Sequence, residues 1–154
     1  MRKRSLIAGA ALALALPFAA CGDEESGRIS GNDPELVAKA DFIQAANAAC
    51  EKRREEIANK GRRIFAKHSD QPDSPQARRE LIEKAIAPGF EAEIRDLRAL
   101  EPPAGEEEEV EEVITAIEEM VARTREDLAE DRSYPYRRTE NIAAAYGLPD
   151  CGTP

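Results

Sequence analysis

Apolar residues in this chain recur at steps of three, four or seven, and nowhere do they alternate with polar ones. That is the period of a helix and not of a strand, so the expected fold class is all-α. A first helix is expected from Asp33-Pro34 or Asp41 to about Lys67. Asp33 before Pro34 reads as a cap and a first-turn proline. Phe42, Ile43, Ala46, Cys50, Ile57 and Ile64 form its stripe. Arg53 and Arg54 interrupt that stripe, with Glu51, Glu55 and Glu56 close by.

The stretch SDQPDSP, Ser69 to Pro75, is turn chemistry. It predicts a second helix from about Pro75 to Leu100, capped by Ser74. Leu81, Ile82, Ala85 and Ile86 make one apolar face; Phe90, Ile94, Leu97 and Leu100 make the next. Pro88-Gly89 falls between them, and an interior proline predicts a kink or break there. Leu100 to Gly105 (LEPPAG) makes a tight connection. The third helix is expected from Glu106 to about Glu130. Its face of Val110, Val113, Ile114, Ile117, Met120, Val121, Thr124 and Leu128 is the cleanest amphipathic stripe in the chain. Ser133-Tyr134-Pro135-Tyr136 breaks it. A last helix, about Arg137 to Tyr146, is expected to turn Ile142, Ala145 and Tyr146 inward, with Gly147 as its stop. Short connections between antiparallel neighbours predict a small bundle of three to five helices.

The core of such a bundle is thin. Leu, Ile, Val and Phe supply 22 of the 122 residues from Asp33 onward. That is near the level at which a highly charged chain fails to fold, so the bundle needs a staple.

The start of the chain shows where one would come from. Met-Arg-Lys-Arg is followed by an uncharged, Ala/Leu-rich run from Ser5 to Leu16. The run is too short to span a bilayer, and the pattern is that of a secretory signal peptide. It ends in Phe18-Ala19-Ala20-Cys21, which resembles the lipobox of bacterial lipoproteins, with Phe18 where the family prefers Leu. The resemblance implies cleavage after residue 20 and a diacylglyceryl group on Cys21. It thus implies a protein held to the extracytoplasmic face of the cell membrane by lipid, since two or more acyl chains anchor stably. The chain then divides into a signal peptide (1–20), a lipidated cysteine with a polar tether (21–32) and a helical domain (33–154). The tether, GDEESGRISGN, has an r.m.s. reach of about 20 Å.

With Cys21 assigned to lipid, Cys50 and Cys151 remain. Export implies an oxidising compartment, where paired thiols become disulfides. Closing a loop of this size stabilises by about 4.7 kcal/mol in the chain-entropy model. A redox or metal-binding thiol pair is the alternative, but there is no CxxC and the single His68 is far away in sequence. The layout also resembles small helical lipoproteins of high-GC bacteria without assigned activity. Asn47-Ala48-Ala49-Cys50, the stretch LRALEPP (Leu97 to Pro103) and Tyr146-Gly147-Leu148 before Cys151 carry that likeness. It implies the fold and the bridge, and no mechanism.

Without residues 1–20 the chain has 19 basic and 31 acidic residues, a formal charge of −12. That argues against nucleic acid or anionic lipid as partners through net charge. Glu106 to Glu109, Glu111 and Glu112 could suggest a cation site. Consecutive glutamates on a helix fan out, however, and acids suit a helix's first turn, so a solvated helix start is expected and no metal ligand is assigned. His68 has no partner motif and reads as a surface histidine at a helix end. Arg53-Arg54, Arg62-Arg63, Arg78-Arg79 and Arg137-Arg138 read as surface ion pairs. No GxSxG, Walker loop, GxGxxG or CxxCH occurs, so no catalytic residue and no cofactor is assigned.

The first functional expectation is a non-enzymatic envelope lipoprotein that binds an unidentified envelope protein or acts structurally. Phe65, off the Ile57–Ile64 line, and Tyr134 and Tyr136 are the candidate contact residues, although each is also explained as core or incidental. The second is a carrier of a small ligand or metal ion, with a pocket near Pro88-Gly89.

Overall fold

The computed structural model describes residues 34–126 and 136–154. The signal peptide, Cys21, the tether, Asp33, Leu128 and Tyr134 lie outside the described residues. The architecture is a small all-α bundle. Helix α1 runs over Pro34–Lys67, α2 over Pro75–Leu81, α3 over Ala87–Arg98, α4 over Glu107–Glu126 and α5 over Tyr136–Tyr146. A single π-helical turn, Ile82–Ile86, joins α2 to α3. Helix α3 is central: it packs against α1 on one side and α4 on the other, and α5 packs on α4.

Local chemistry sets the helix ends. Ser74 has extended dihedrals, and its hydroxyl accepts the Ala77 N–H at 3.2 Å, ahead of Pro75 in the first turn. At the end of α5, Gly147 adopts φ +105°. Its N–H donates to Ala144 O and that of Leu148 to Ala143 O, the Schellman pattern that satisfies the last carbonyls.

Pro88 does not break the helix. The chain passes from α2 through the π turn into α3 with right-handed helical dihedrals at Leu81, Ile82, Ile86 and Ala87. The Ala87 N–H donates to Ile82 O, five residues back. A proline ring clashes with the carbonyl four residues earlier. The wider turn ahead of Pro88 moves that carbonyl aside, so the expected break is replaced by a π bulge one turn upstream.

The core draws Phe42, Ala46, Cys50 and Ile57 from α1. The π turn and α3 add Ile82, Ile86, Phe90, Ile94 and Leu97, and α4 adds Val110, Val113, Ile114, Ile117, Met120 and Val121. Helix α5 is rotated from expectation: Thr139 and Ala143 are buried, Ile142 and Tyr146 are half-buried, and Ala145 is exposed. Thr139 occupies the inward position because its hydroxyl donates to Ala116 O at 3.2 Å across the α4–α5 contact. No described helix is long and apolar enough to cross a membrane.

Candidate functional site

Two places in the fold gather chemistry. The first is buried. Cys50 on α1 and Cys151 in the C-terminal turn form a disulfide with a Cα–Cα distance of 5.0 Å, well within the usual range. Both residues are fully buried. The staple expected from counting cysteines is therefore present, and it ties the end of the chain to the middle of α1.

Glu93 lies beside that disulfide. One carboxylate oxygen falls within 4.8 Å of both sulfurs. The residue is 0% exposed, which is rare for a glutamate. Its Oε1 accepts the Gly152 N–H at 2.8 Å, and its Oε2 is buried without a hydrogen-bond partner. Burial pushes the carboxyl up to about 8, against the opposing pull of the Gly152 N–H. Glu93 is thus a neutral acid at pH 7. Two sulfurs and a carboxylate in one place form a possible ligand set, but the sulfurs are bonded to each other and offer no thiolate.

The second place is the seam between α4 and α5. Two adjoining hollows of about 370 and 330 Å³ lie along it, sharing Glu112 and Ile142. Val113, Ile142, Ala145 and Tyr146 make the floor of the larger one, and Glu109, Glu112 and Asn141 its rim. Among the described residues, no ion pair joins Glu108, Glu109 or Glu112 to a cation. On the same helix Glu111 and Glu118 are matched by Arg98 and Glu119 by Arg138, while Glu107 and Glu126 reach no cation among the described residues either.

The remaining residues expected to matter fall as follows. Glu106 is more than a solvated helix start. It takes the Lys39 ammonium at 2.9 Å and the Tyr146 hydroxyl at 2.8 Å, and so ties α1, α4 and α5 together. Those bonds, Lys39 first, hold its carboxyl below the usual range. Burial and then Glu106 push the Tyr146 hydroxyl up. His68 is not a surface histidine. Its ring is 13% exposed and pairs with Glu80 at 2.8 Å. The fold brings the two together across the turn between α1 and α2, a pairing that no fixed spacing encodes.

Arg53 is partly covered and bridges to Glu56 and Asp96 at 2.8 and 2.7 Å. Arg54 reaches Asp150 at 3.2 Å, beside the staple. Arg138 pairs with Glu119. Arg62 and Arg63 are exposed and reach no carboxylate among the described residues. Phe65 is 44% exposed, as are Leu36 (47%) and Val37 (44%) at the start of α1. Tyr136 packs its ring against Phe90 at a centroid distance of 6.3 Å, so it belongs to the edge of the core. The expected pocket at Pro88-Gly89 is filled: a Cβ on Gly89 would stand 2.2 Å from Cγ1 of the buried Ile57.

Sequence reasoning missed Glu93, although a signal was there. It lies three residues after Phe90 and four before Leu97, on the apolar face itself.

No family model, no curated protein and no solved structure matches the chain.

Proposed function

We propose that this chain is a non-enzymatic lipoprotein, held to the extracytoplasmic face of the cell membrane through Cys21, whose helical bundle serves as a protein-interaction or structural module. One observation carries the reading. The disulfide uses Cys50 and Cys151, so among the three cysteines of the chain Cys21 alone is left over. That residue ends the lipobox-like Phe18-Ala19-Ala20-Cys21 behind a signal-peptide pattern. A buried disulfide closing a long loop also suits an exported domain with a thin core. The exposed Phe65 and the acid-rimmed α4–α5 seam supply the surfaces that a module of this kind needs.

The test is labelled palmitate in cells that make the full chain. Label is expected on the wild type, which should partition into detergent, and should be lost in Cys21→Ser with the domain still folded. Label that persists in Cys21→Ser, or no label on the wild type, overturns the anchor.

A further inference from the structure

Besides the exposed Leu36 and Val37 at the start of α1, two surface features of the bundle are opposite in chemistry. The α4–α5 seam offers an apolar floor with a carboxylate rim. The last turns of α1 offer the reverse. Phe65 is exposed there, and Arg62, three residues earlier, lies on the same helical face. Arg63 is exposed beside them. Arg53, Arg54, Arg98, Arg125 and Arg138 are paired with carboxylates of the fold, whereas Arg62 and Arg63, in common with Arg79, Arg95, Arg123 and Arg137, reach none among the described residues; Arg62 donates to Asn59, and Glu108, Glu109 and Glu112 reach no cation. It is Arg62 and Arg63 that adjoin the exposed Phe65. We infer that the α4–α5 groove is a docking site for the Arg62–Phe65 face of a second copy of this chain.

The match is specific in kind. Phe65 supplies an apolar group to cover the half-buried Ile142 and Tyr146 and the exposed Ala145. Glu108 and Glu112 are spaced i,i+4, and Glu109 and Glu112 i,i+3, so their carboxylates line one side of α4 over about 6 Å. Two guanidiniums flanking an aromatic ring span a similar length. Arginine pairs bidentately with carboxylates and is favoured at such contacts over lysine. Charge complementarity of this sort selects the register and speeds encounter.

The contact cannot close within one molecule. Lys39, near the start of α1, already bonds Glu106 and lies against Tyr146. The groove is therefore at that end of α1. Phe65 is roughly 40 Å further along the same unbroken helix at about 1.5 Å per residue. The two patches are unlike and lie at opposite ends, so the contact either repeats head to tail from copy to copy or closes reciprocally in an antiparallel pair. Each contact is small. Confinement to a membrane surface would raise the local concentration enough to populate it. The inference deepens the interaction-module reading and rests on it, naming the chain itself as partner.

The experiment places p-benzoylphenylalanine at position 65 of the full chain in intact cells, followed by irradiation and peptide mapping. The expected result is covalently joined copies, a dimer for a reciprocal pair or a ladder for a repeating contact, with crosslinks in 107–126 or 136–146 of the neighbour. Glu109→Arg with Glu112→Arg should lower the yield at least tenfold. Adding Arg62→Glu and Arg63→Glu to the same chain should restore it. All four positions are exposed, and unchanged thermal unfolding of each variant checks the fold. Equal yield in the charge-reversed chain, or no recovery in the swapped one, overturns the inference. Adducts only with a different protein overturn self-docking and leave the interaction module standing. No adduct with any protein, from position 65 or from a second probe at Glu112, overturns both.

Discussion

Glu80 and Glu93 stand on either side of the π turn, and the fold treats them in opposite ways. Glu80 is held by two ammonium groups and an imidazole: Lys67 and His68 at 2.8 Å and Lys84 at 2.9 Å. Those bonds, His68 first, draw its carboxyl down to about 2. Glu93 is sealed beside the disulfide with one backbone N–H as partner, and its carboxyl rises to about 8. The same side chain is thus an anion in one place and a neutral acid in the other. What decides is whether partners replace the water lost on folding. The charged side of the molecule holds together by pairing. The stapled side holds by excluding water and closing a covalent loop.

Breaking the staple is the harshest way to test that contrast. Cys50→Ser should lower the unfolding free energy by about 4–5 kcal/mol, from the loop-closure estimate, read by urea titration against the wild type. A loss under about 1 kcal/mol would mean that the apolar core alone holds the C-terminal turn.

The next test separates the two glutamates by pH. Folding raises the Glu93 value from 4.5 to about 8. The folded state therefore keeps a proton that the unfolded chain releases. The stability this group contributes is full below about 4.5 and is lost as pH rises to about 8. Glu93→Gln keeps an acceptor for the Gly152 N–H and cannot ionise. Its stability should show no fall from this group over that window, and an unchanged slope would remove Glu93 as its source. Glu80 works in the other direction. Its value falls from 4.5 to about 2, so its contribution is present above 4.5 and is lost as pH drops through that range. Glu80→Gln should flatten the acid limb only. At pH 7 its effect should be much smaller than that of breaking the staple, since two of the three partners are well exposed.

Much of this fold was legible in the residues. The stripe Phe42, Ala46, Cys50, Ile57 and Ile64 and the stripe Val110 to Thr124 both face the core as their spacing predicts. Cysteine arithmetic found the staple, because the signal-peptide-like start led to the expectation of an oxidising compartment, where paired thiols become disulfides. Ser74 and Gly147 mark helix ends by chemistry that acts within a few residues. The π turn was not legible. Proline says that the helix must adapt but not which turn absorbs the strain, and packing of Gly89 on Ile57 helps to decide that. The Glu80 cluster was hidden for a related reason. Its partners lie on both sides of a chain reversal, so no fixed spacing encodes it. Glu93 was hidden because a periodicity made from apolar residues passes over a glutamate in step with them. Ala145 and Ala143 could not be told apart by hydrophobicity, and the Thr139 hydroxyl settled which of them faces inward.

The bond between Cys50 and Cys151 also determines how this molecule carries force. A pull between residue 34 and the C-terminus runs along the first part of α1 to Cys50, crosses to Cys151 and leaves through the last three residues. Everything between the two cysteines lies on a covalent ring outside that line. Most of the core, the π turn and the α4–α5 seam would bear no tension, and the extension available before the bond itself is loaded is that of two short end segments.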